Sequence, residues 1–448
     1  MNELGAQLSA WWALPFAGML LSIALLPLAA PALWQRHAGK IAFGWSLAFL
    51  LPFAARFGVA EAGHGLAHTL LADYLPFVVL LTALFTTAGG IFVRGNLRGS
   101  PALNAGLMAI GAVLASFMGT TGASMLLIRP LIRANDNRRS TAHVIVFFIF
   151  IVANAAGALT PLGDPPLFLG FLQGVSFFWT VEHLLPETLF LVGVLLALFC
   201  AVDAWHFRRE GVLPVDPTAA EAPRLGIDGA INLLPLLAIV ALVLLSGTWK
   251  PGVSFPVFGV DMSLQQLVRD VGLIAMTALS LAITPKGVRA ANEFSWAPMK
   301  EVAELFIGIF ITMIPMLAML KAGEAGAFAG VARAVTGAAG EPLPWAYFWF
   351  SGVLSSFLDN APTYLVFFNL AGGDAQMLMT KLATTLAAIS AGSVFMGANT
   401  YIGNAPNFMV KAIAESRGIR MPSFFGYMAW SGAVLIPLFV IISFIWMR

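Results

Sequence analysis

The chain has 448 residues, of which 59% are hydrophobic and only 10% are charged, with 24 basic and 22 acidic side chains. A soluble domain carries about 25% charged residues, so this composition excludes a cytosolic enzyme, a disulfide-rich secreted protein and a disordered chain. The net charge of +2 is too small to indicate nucleic-acid binding, and the single cysteine cannot form an intrachain disulfide. The composition is typical of a polytopic membrane protein.

Apolar runs long enough to cross a bilayer follow one another along the chain. They predict spanning helices over 11–34, 41–60, 74–93, 143–176, 183–203, 229–247, 269–285, 303–320, 383–412 and 423–446. Two further apolar runs, 101–133 and 344–372, are interrupted in the middle by small and polar residues. The long polar stretch 204–228 predicts a cytoplasmic linker between two units, 1–203 and 229–448. Because no basic segment precedes the first run, it predicts a membrane helix rather than a signal peptide.

The two halves share sequence at a constant offset of 240 positions. Val113–Phe117 (VLASF) matches Val353–Phe357 (VLSSF) at four of five positions. Gly157–Phe168 (GALTPLGDPPLF) matches Gly397–Phe408 (GANTYIGNAPNF) at six of twelve. Unrelated segments of average composition agree at roughly one position in twelve. We therefore predict an internal duplication.

The orientation of the halves follows from counting crossings. If the interrupted runs are hairpins that enter and leave on one side, each half has five crossings and the second half is inverted. If they cross the membrane, each half has six and the repeats are parallel. With the N-terminus outside, the inverted arrangement puts most of the Lys and Arg residues on the inner side, as bacterial membrane proteins prefer. We therefore predict an all-α polytopic protein with two inverted-topology repeats, each of five transmembrane helices (one discontinuous) plus a re-entrant hairpin.

Four interruptions at matching positions of the two halves mark the predicted binding site. Two are the hairpin tips 116–124 and 355–363, and two interrupt the helices at 154–166 and 397–406. Gly and Pro free backbone amides and carbonyls there, and Thr, Asn and Asp add oxygens of the kind that hard cations prefer. Irregular backbone is tolerated at membrane depth only where it is buried in protein or lines a cavity.

Two acidic residues lie at these interruptions, Asp164 in the first broken helix and Asp359 at the second hairpin tip. An ionisable group within a spanning segment is costly and indicates function, whereas the alternative is an Asp that caps nearby backbone amides. We predict that both bind an ion, with sodium as the metal. Nearby Thr and Asn side chains are weaker candidates because they often only cap a helix end: Thr120, Thr121, Thr160, Asn360, Asn399, Thr400 and Asn404.

Other polar residues favour less specific interpretations. Arg129 follows the first hairpin tip and is a candidate anion contact, the alternative being that it reaches the inner membrane surface with Arg133. His143 begins a spanning run and is predicted to lie at the membrane interface, the alternative being a proton relay, and Asp203 is predicted to lie at a helix end without a special role. The chain has no H-E-x-x-H, G-x-S-x-G or G-x-x-x-x-G-K-[ST] motif, so we predict no enzyme activity, no phosphate loop and no cofactor.

At these residues the chain resembles the ion transporter superfamily. Gly157–Pro166 is similar to the G-x-x-T-x-x-G-D-P-P block of the arsenite-pump and NhaD-type sodium/proton antiporter branches, and Ser356–Pro362 (SFLDNAP) to their S-x-x-x-D-N block. The resemblance implies a homodimer whose subunits combine a scaffold part with an elevator-like transport part. The dicarboxylate branch uses Ser-Asn-Thr triplets, for which Ala398-Asn399-Thr400 is the nearest segment here. Sequences with two prolines after the Asp also resemble a citrate-transport group.

Three functions follow from this resemblance. The first is a sodium/proton antiporter of the bacterial inner membrane with periplasmic termini, in which the midplane carboxylates bind Na⁺ and H⁺ by alternating access. The second is a proton- or sodium-coupled citrate or carboxylate transporter, in which Arg129 and half-helix N-termini hold the anion. The third is an arsenite-type anion exporter subunit whose ATPase is a separate partner. For all three functions we predict that the partners of the protein are the lipid bilayer and a small ion or carboxylate substrate.

Overall fold

A computed structural model describes residues 2–95, 97–211, 225–338 and 340–448, and these residues are predominantly helical. The first half contains α1 (Asn2–Gln7), α2 (Leu14–Ala29), α3 (Pro31–Phe57), α4 (Val59–His68), α5 (Leu75–Ala88), α6 (Pro101–Ala134), α7 (Ala142–Ile151), α8 (Pro165–Leu172) and α9 (Trp179–Glu210). The second half contains α10 (Leu233–Thr248), α11 (Leu264–Ile283), α12 (Lys286–Ala291), α13 (Ala297–Lys321), α14 (Ala329–Ala334), α15 (Pro344–Phe357), α16 (Asn360–Leu370), α17 (Ala375–Thr380), α18 (Ala383–Phe395), α19 (Ala405–Ser416) and α20 (Phe424–Trp446). Two antiparallel pairs complete the fold: β1 (Phe92–Arg94) with β2 (Gly226–Asp228), and β3 (Ser254–Val257) with β4 (Val260–Ser263).

Ten helices in the described part of the chain are long and apolar enough to cross a membrane. This confirms the prediction of an all-α polytopic fold.

The boundary between the first two helices was predicted wrongly: the second helix begins at Pro31 rather than near residue 41. Ala30 is non-helical (φ −144°), and Pro31 favours the first position of a new helix because it has no N–H to leave unpaired. α9 continues to Glu210, within the predicted linker, and residues 212–224 of that linker lie outside the described residues.

α6 is 34 residues long but folds back on itself at Gly119. Gly119 has φ 77° and ψ 155°, a conformation that glycine adopts without steric cost. The side chains of Asn104 and Asn135 form a hydrogen bond of 3.0 Å near the two ends of α6. In a straight helix these residues would lie about 45 Å apart. The segment predicted over 101–133 is thus a helical hairpin with its tip at Gly119.

The second predicted hairpin, 344–372, consists of α15 and α16. They join at Leu358 and Asp359 and pack against each other, with the rings of Tyr347 and Phe367 6.2 Å apart. The two predicted broken helices are also interrupted. α7 is separated from α8 by a short 3-10 turn and non-helical backbone, and α18 is separated from α19 in the same way. Whether the hairpins enter and leave the membrane on one side stays a prediction.

The two halves interlock through equivalent helices. α2 packs on α3 and α10 packs on α11, while each second helix packs across onto the other half: α3 on α13, and α11 on α5. The interrupted segments cross over in the same way, because α8 packs on α16 and α19 packs on α6. Residues that lie 240 positions apart therefore meet near the centre of the molecule. The orientation of each half in the membrane stays a prediction.

A buried ionic cluster ties the base of the first hairpin to α9. The carboxylate of Asp203 contacts Arg138 Nη1 at 2.6 Å, His143 Nε2 at 2.8 Å and Asn104 Nδ2 at 3.0 Å. Asp203 is fully buried, and Arg138 and His143 are nearly so. The sequence interpretation gave Asp203 and His143 no special role. The mutual pairing of these groups allows their burial, because a buried charge needs a hydrogen-bonded partner.

Candidate functional site

A cavity of about 450 Å³ lies where the interrupted segments meet the long helices. Most of its polar side chains come from the first hairpin tip, both broken helices and the second hairpin tip, and include Thr120, Thr121, Asp164, Asp359 and Asn404. The opposite wall is mainly apolar and is formed by residues of α2, α3, α5 and α13. The structure thus places both predicted acidic residues and three of the predicted polar residues in one cavity.

Asp164 is the most enclosed acidic side chain of this cavity, with 2% of its surface exposed. Its Oδ1 accepts hydrogen bonds from Thr120 Oγ1 at 2.8 Å and from Asn404 Nδ2 at 3.2 Å. Its Oδ2 accepts a bond of 2.5 Å from Asn360 Nδ2. All three donors are uncharged, so the carboxylate is held in place without a neutralising basic group.

The local sequence explains why this carboxylate is free to make those bonds. Asp164 precedes α8, but its side chain does not cap that helix. Pro165 and Pro166 follow it, and neither has an N–H to donate. Asp359 differs, since it precedes α16 and accepts a bond of 3.2 Å from the backbone N–H of Ala361. Asp359 is also only half-buried.

A chain of asparagine side chains connects Asp164 to the second broken helix. Asn404 donates to Asn154 Oδ1 at 3.2 Å as well as to Asp164. Asn154 donates to Asn407 Oδ1 at 2.7 Å, and Asn407 donates to the carbonyls of Gly397 and Thr400. Asn407 was not among the predicted site residues, because only the pairing of the two broken helices brings it next to Asn154.

Thr160 and Thr400 hold the hairpins in equivalent ways. Thr160 Oγ1 donates to the carbonyl of Ser116 at 2.5 Å, and Thr400 Oγ1 donates to the carbonyl of Ser356. Each threonine also accepts a bond of 3.2 Å from the backbone N–H two residues further on. These two predicted site residues therefore bind backbone, and their hydroxyl groups connect each broken helix to the hairpin of its own half.

Two buried asparagine amide oxygens at the interruptions have no hydrogen-bond partner among the described residues. One is Oδ1 of Asn360, whose amide nitrogen binds Asp164. The other is Oδ1 of Asn399, whose amide nitrogen donates to Ser356 Oγ at 2.9 Å. Among the described residues no group of three or more His, Cys, Asp or Glu side chains is placed to hold a metal ion. A bound cation would thus need amide, hydroxyl or backbone oxygens in addition to a carboxylate.

The charges of the cavity are acidic. Its described lining residues include Asp164, Asp359 and Glu301 but no Lys, Arg or His. Arg129, the candidate anion contact, is not among them. It is buried elsewhere and lies 3.3 Å from the carboxylate of Glu293. The cavity therefore favours a cation or a cation-bearing solute over a free anion.

The comparisons with known proteins extend over nearly the whole chain. A family model described as "Putative citrate transport" matches residues 5–447. The chain is 25% identical over 374 residues to an uncharacterized transporter of Mycobacterium bovis, and equally to one of Mycobacterium tuberculosis. In both cases the aligned part covers 80% of each chain. Both halves of this fold are thus included in the similarity.

Proposed function

Because the chain belongs to the family described as "Putative citrate transport", a transporter family of the ion transporter type, we propose a specific transport reaction. The protein is a secondary transporter that exchanges a cation, sodium first among the candidates, for protons. The single observation that supports this proposal is the cavity with three acidic and no basic side chains among its described lining residues. A free polyvalent anion would have to enter that cavity against its charge.

Asp164 is the residue for which the cation and the proton compete. Thr120, Asn360 and Asn404 fix both of its carboxylate oxygens in position. When the carboxylate is charged it attracts a cation, to which the unpartnered Oδ1 of Asn360 offers a further oxygen ligand. When it is protonated that attraction is lost, so one site carries either ion but not both.

Asp359 is the second proposed ion ligand. It lines the same cavity from the tip of the second hairpin and keeps one carboxylate oxygen free of the cap that it provides for α16. Since it is half-buried, it is the acid through which ions reach Asp164. Movement of the hairpins and broken helices against α2, α5 and α13 would expose the site to the two sides in turn.

Proton- or sodium-coupled transport of citrate is the second candidate. The family description favours it, and the acidic lining then requires that citrate enters together with a cation that offsets its charge. In this case Asp164 and Asp359 bind the accompanying cation rather than a competing one. An inner-membrane location with periplasmic termini, and a homodimer, form part of both proposals. The arsenite-type exporter remains the third alternative.

Reconstituted protein in liposomes with an internal pH dye tests these alternatives. We expect an imposed sodium gradient to drive proton flux in the opposite direction, and the Asp359→Asn variant to lose most of it. Labelled citrate is then offered with and without Mg²⁺, Ca²⁺ and Na⁺. Citrate uptake that needs a cation, without sodium-driven proton flux in the absence of citrate, would favour the second candidate. Normal flux through Asp359→Asn would contradict both.

A further inference from the structure

Two arginines from different interrupted segments share one carboxylate outside the cavity. Arg129 lies on the second arm of α6, and Arg417 follows α19. Their Nη2 atoms contact opposite oxygens of Glu293, at 3.3 Å for Arg129 and 2.6 Å for Arg417. Arg133 lies close by and has Asp136 as its acidic neighbour. Two guanidinium groups thus converge on the carboxylate of Glu293.

The guanidinium of Arg129 is enclosed but incompletely paired. Its side chain is 7% exposed, and among the described residues its Nε and Nη1 atoms have no hydrogen-bond partner. A guanidinium has five N–H donors, and buried donors without acceptors indicate an ion or water that completes them. Glu293 contacts only Nη2 of this group, so the enclosed Nε and Nη1 donors are left without an acceptor among the described residues.

Glu293 holds its place in an unfavourable conformation. Its φ is 50°, in the left-handed region, where a helix end normally has glycine because other side chains are strained. It follows α12, and its carboxylate is 54% exposed, far more than Arg129. The acidic partner is therefore the exchangeable one, whereas the arginine is fixed by packing.

We propose that Arg129 and Arg417 form an anion site for a free di- or tricarboxylate, which Glu293 occupies as an internal substitute ligand. A carboxylate from solution replaces that of Glu293 between the two guanidinium groups. Once Glu293 has moved away, the enclosed Nε and Nη1 donors of Arg129 are uncovered and bind a second carboxylate of the same molecule. Arginine forks match carboxylates in this way through paired, charge-assisted hydrogen bonds. This site is separate from the acidic cavity, so the proposal does not depend on whether the transported solute is a cation or citrate.

This exchange has a mechanical consequence. Glu293 belongs to the segment between α12 and α13, whereas Arg129 and Arg417 belong to or directly follow segments that carry the ion site. The two ion pairs therefore connect parts that must separate if the interrupted segments move. A carboxylate that displaces Glu293 breaks this connection and favours movement.

Binding of citrate and succinate to the full-length protein tests the site, with calorimetry in detergent free of anionic lipid. We expect Glu293→Gln to tighten binding about tenfold, because it removes the internal competitor, and Arg417→Gln to weaken it at least about tenfold, where tenfold equals about 1.4 kcal/mol. Arg129→Gln should weaken it equally. Because Arg129 is buried and its replacement can destabilise the fold, the half-exposed Arg417 is the decisive variant.

Glu415→Gln is the matched control, since the side chain of Glu415 pairs with Lys411 on α19 and only its backbone carbonyl contacts Arg417. Its affinity should equal that of the wild type. Unchanged affinity in Glu293→Gln, or unchanged affinity in Arg417→Gln, would overturn the proposal. Binding of phosphatidylglycerol by a protein that binds neither citrate nor succinate would also overturn it, because the ligand of the two arginines would then be a lipid headgroup.

Discussion

The two broken helices have the same backbone contacts but different chemistry. In each, a threonine binds the carbonyl of a serine in its own hairpin, Thr160 with Ser116 and Thr400 with Ser356. Four residues later the first has Asp164 and the second has Asn404, and these two side chains bind each other at 3.2 Å. The threonine contact with the hairpin is thus present in both halves, whereas only the first broken helix has a charged side chain at the fourth following position.

The hairpin tips differ in a complementary way. Thr120 and Asn360 occupy equivalent positions, 240 residues apart, and both donate to Asp164. Asp359 precedes Asn360, while its counterpart Gly119 makes the turn of the first hairpin. The duplication therefore supplies matched donors from both halves to a single carboxylate. Substitutions at matched positions can show how much the acidic side chains and how much the threonine contacts with the hairpins contribute to transport and stability.

The largest expected effect comes from removing the buried charge. Asp164→Asn should reduce transport at least about 100-fold, since the carboxylate is the group for which ions compete and no other acid that lines the cavity is as enclosed. Ion flux into proteoliposomes measures this, with thermal unfolding as the check on folding. A variant that folds and retains flux would show that the ion site lies elsewhere.

Exchanging the two matched residues tests their equivalence. The double variant Asp164→Asn/Asn404→Asp should recover transport about tenfold over Asp164→Asn alone, because contacting residues couple and the charge moves only across a 3.2 Å contact. The single variant Asn404→Asp is the control, and we expect it to be impaired by two adjacent carboxylates. No recovery in the double variant would mean that the halves are not interchangeable at this point.

The acid at the second hairpin tip should have a smaller effect. Asp359→Asn is expected to lower flux about tenfold, since a half-buried acid interacts with an ion more weakly than an enclosed one. Asn can still accept the bond from Ala361, so the cap of α16 is kept. Flux that depends on sodium concentration, measured for wild type and variant, gives the comparison. A loss as complete as that of Asp164→Asn would make the two acids equal partners.

The smallest effects are expected for the two threonines that bind the hairpin carbonyls. Thr160→Val and Thr400→Val each remove one buried hydrogen bond to a hairpin carbonyl, and each should lower the free energy of unfolding by about 1–3 kcal/mol. Equal shifts of the thermal unfolding temperature would support equivalent roles. Unequal shifts would show that one hairpin depends less on its threonine than the other.

Much of the fold could be predicted from the order of residues along the chain. Spanning helices are set by local apolar length, and the hairpin at Gly119 and the break before Pro165 are local effects of glycine and proline. The offset between the halves pointed to the contacts that Thr160 and Thr400 repeat. The boundary at Pro31 was missed because the polar residues 35–40, which were predicted to separate two helices, lie inside α3.

The candidate site was predicted as a set of residues but not as an arrangement. Composition and position alone indicated Asp164, Asp359 and their Thr and Asn neighbours. Only the packing of α8 on α16 and of α19 on α6 decided that Thr120, Asn360 and Asn404 all donate to one carboxylate. In the same packing Arg129 lies outside the cavity and pairs with Glu293. Contacts between residues far apart in sequence depend on how whole helices pack, and no local pattern contains that information.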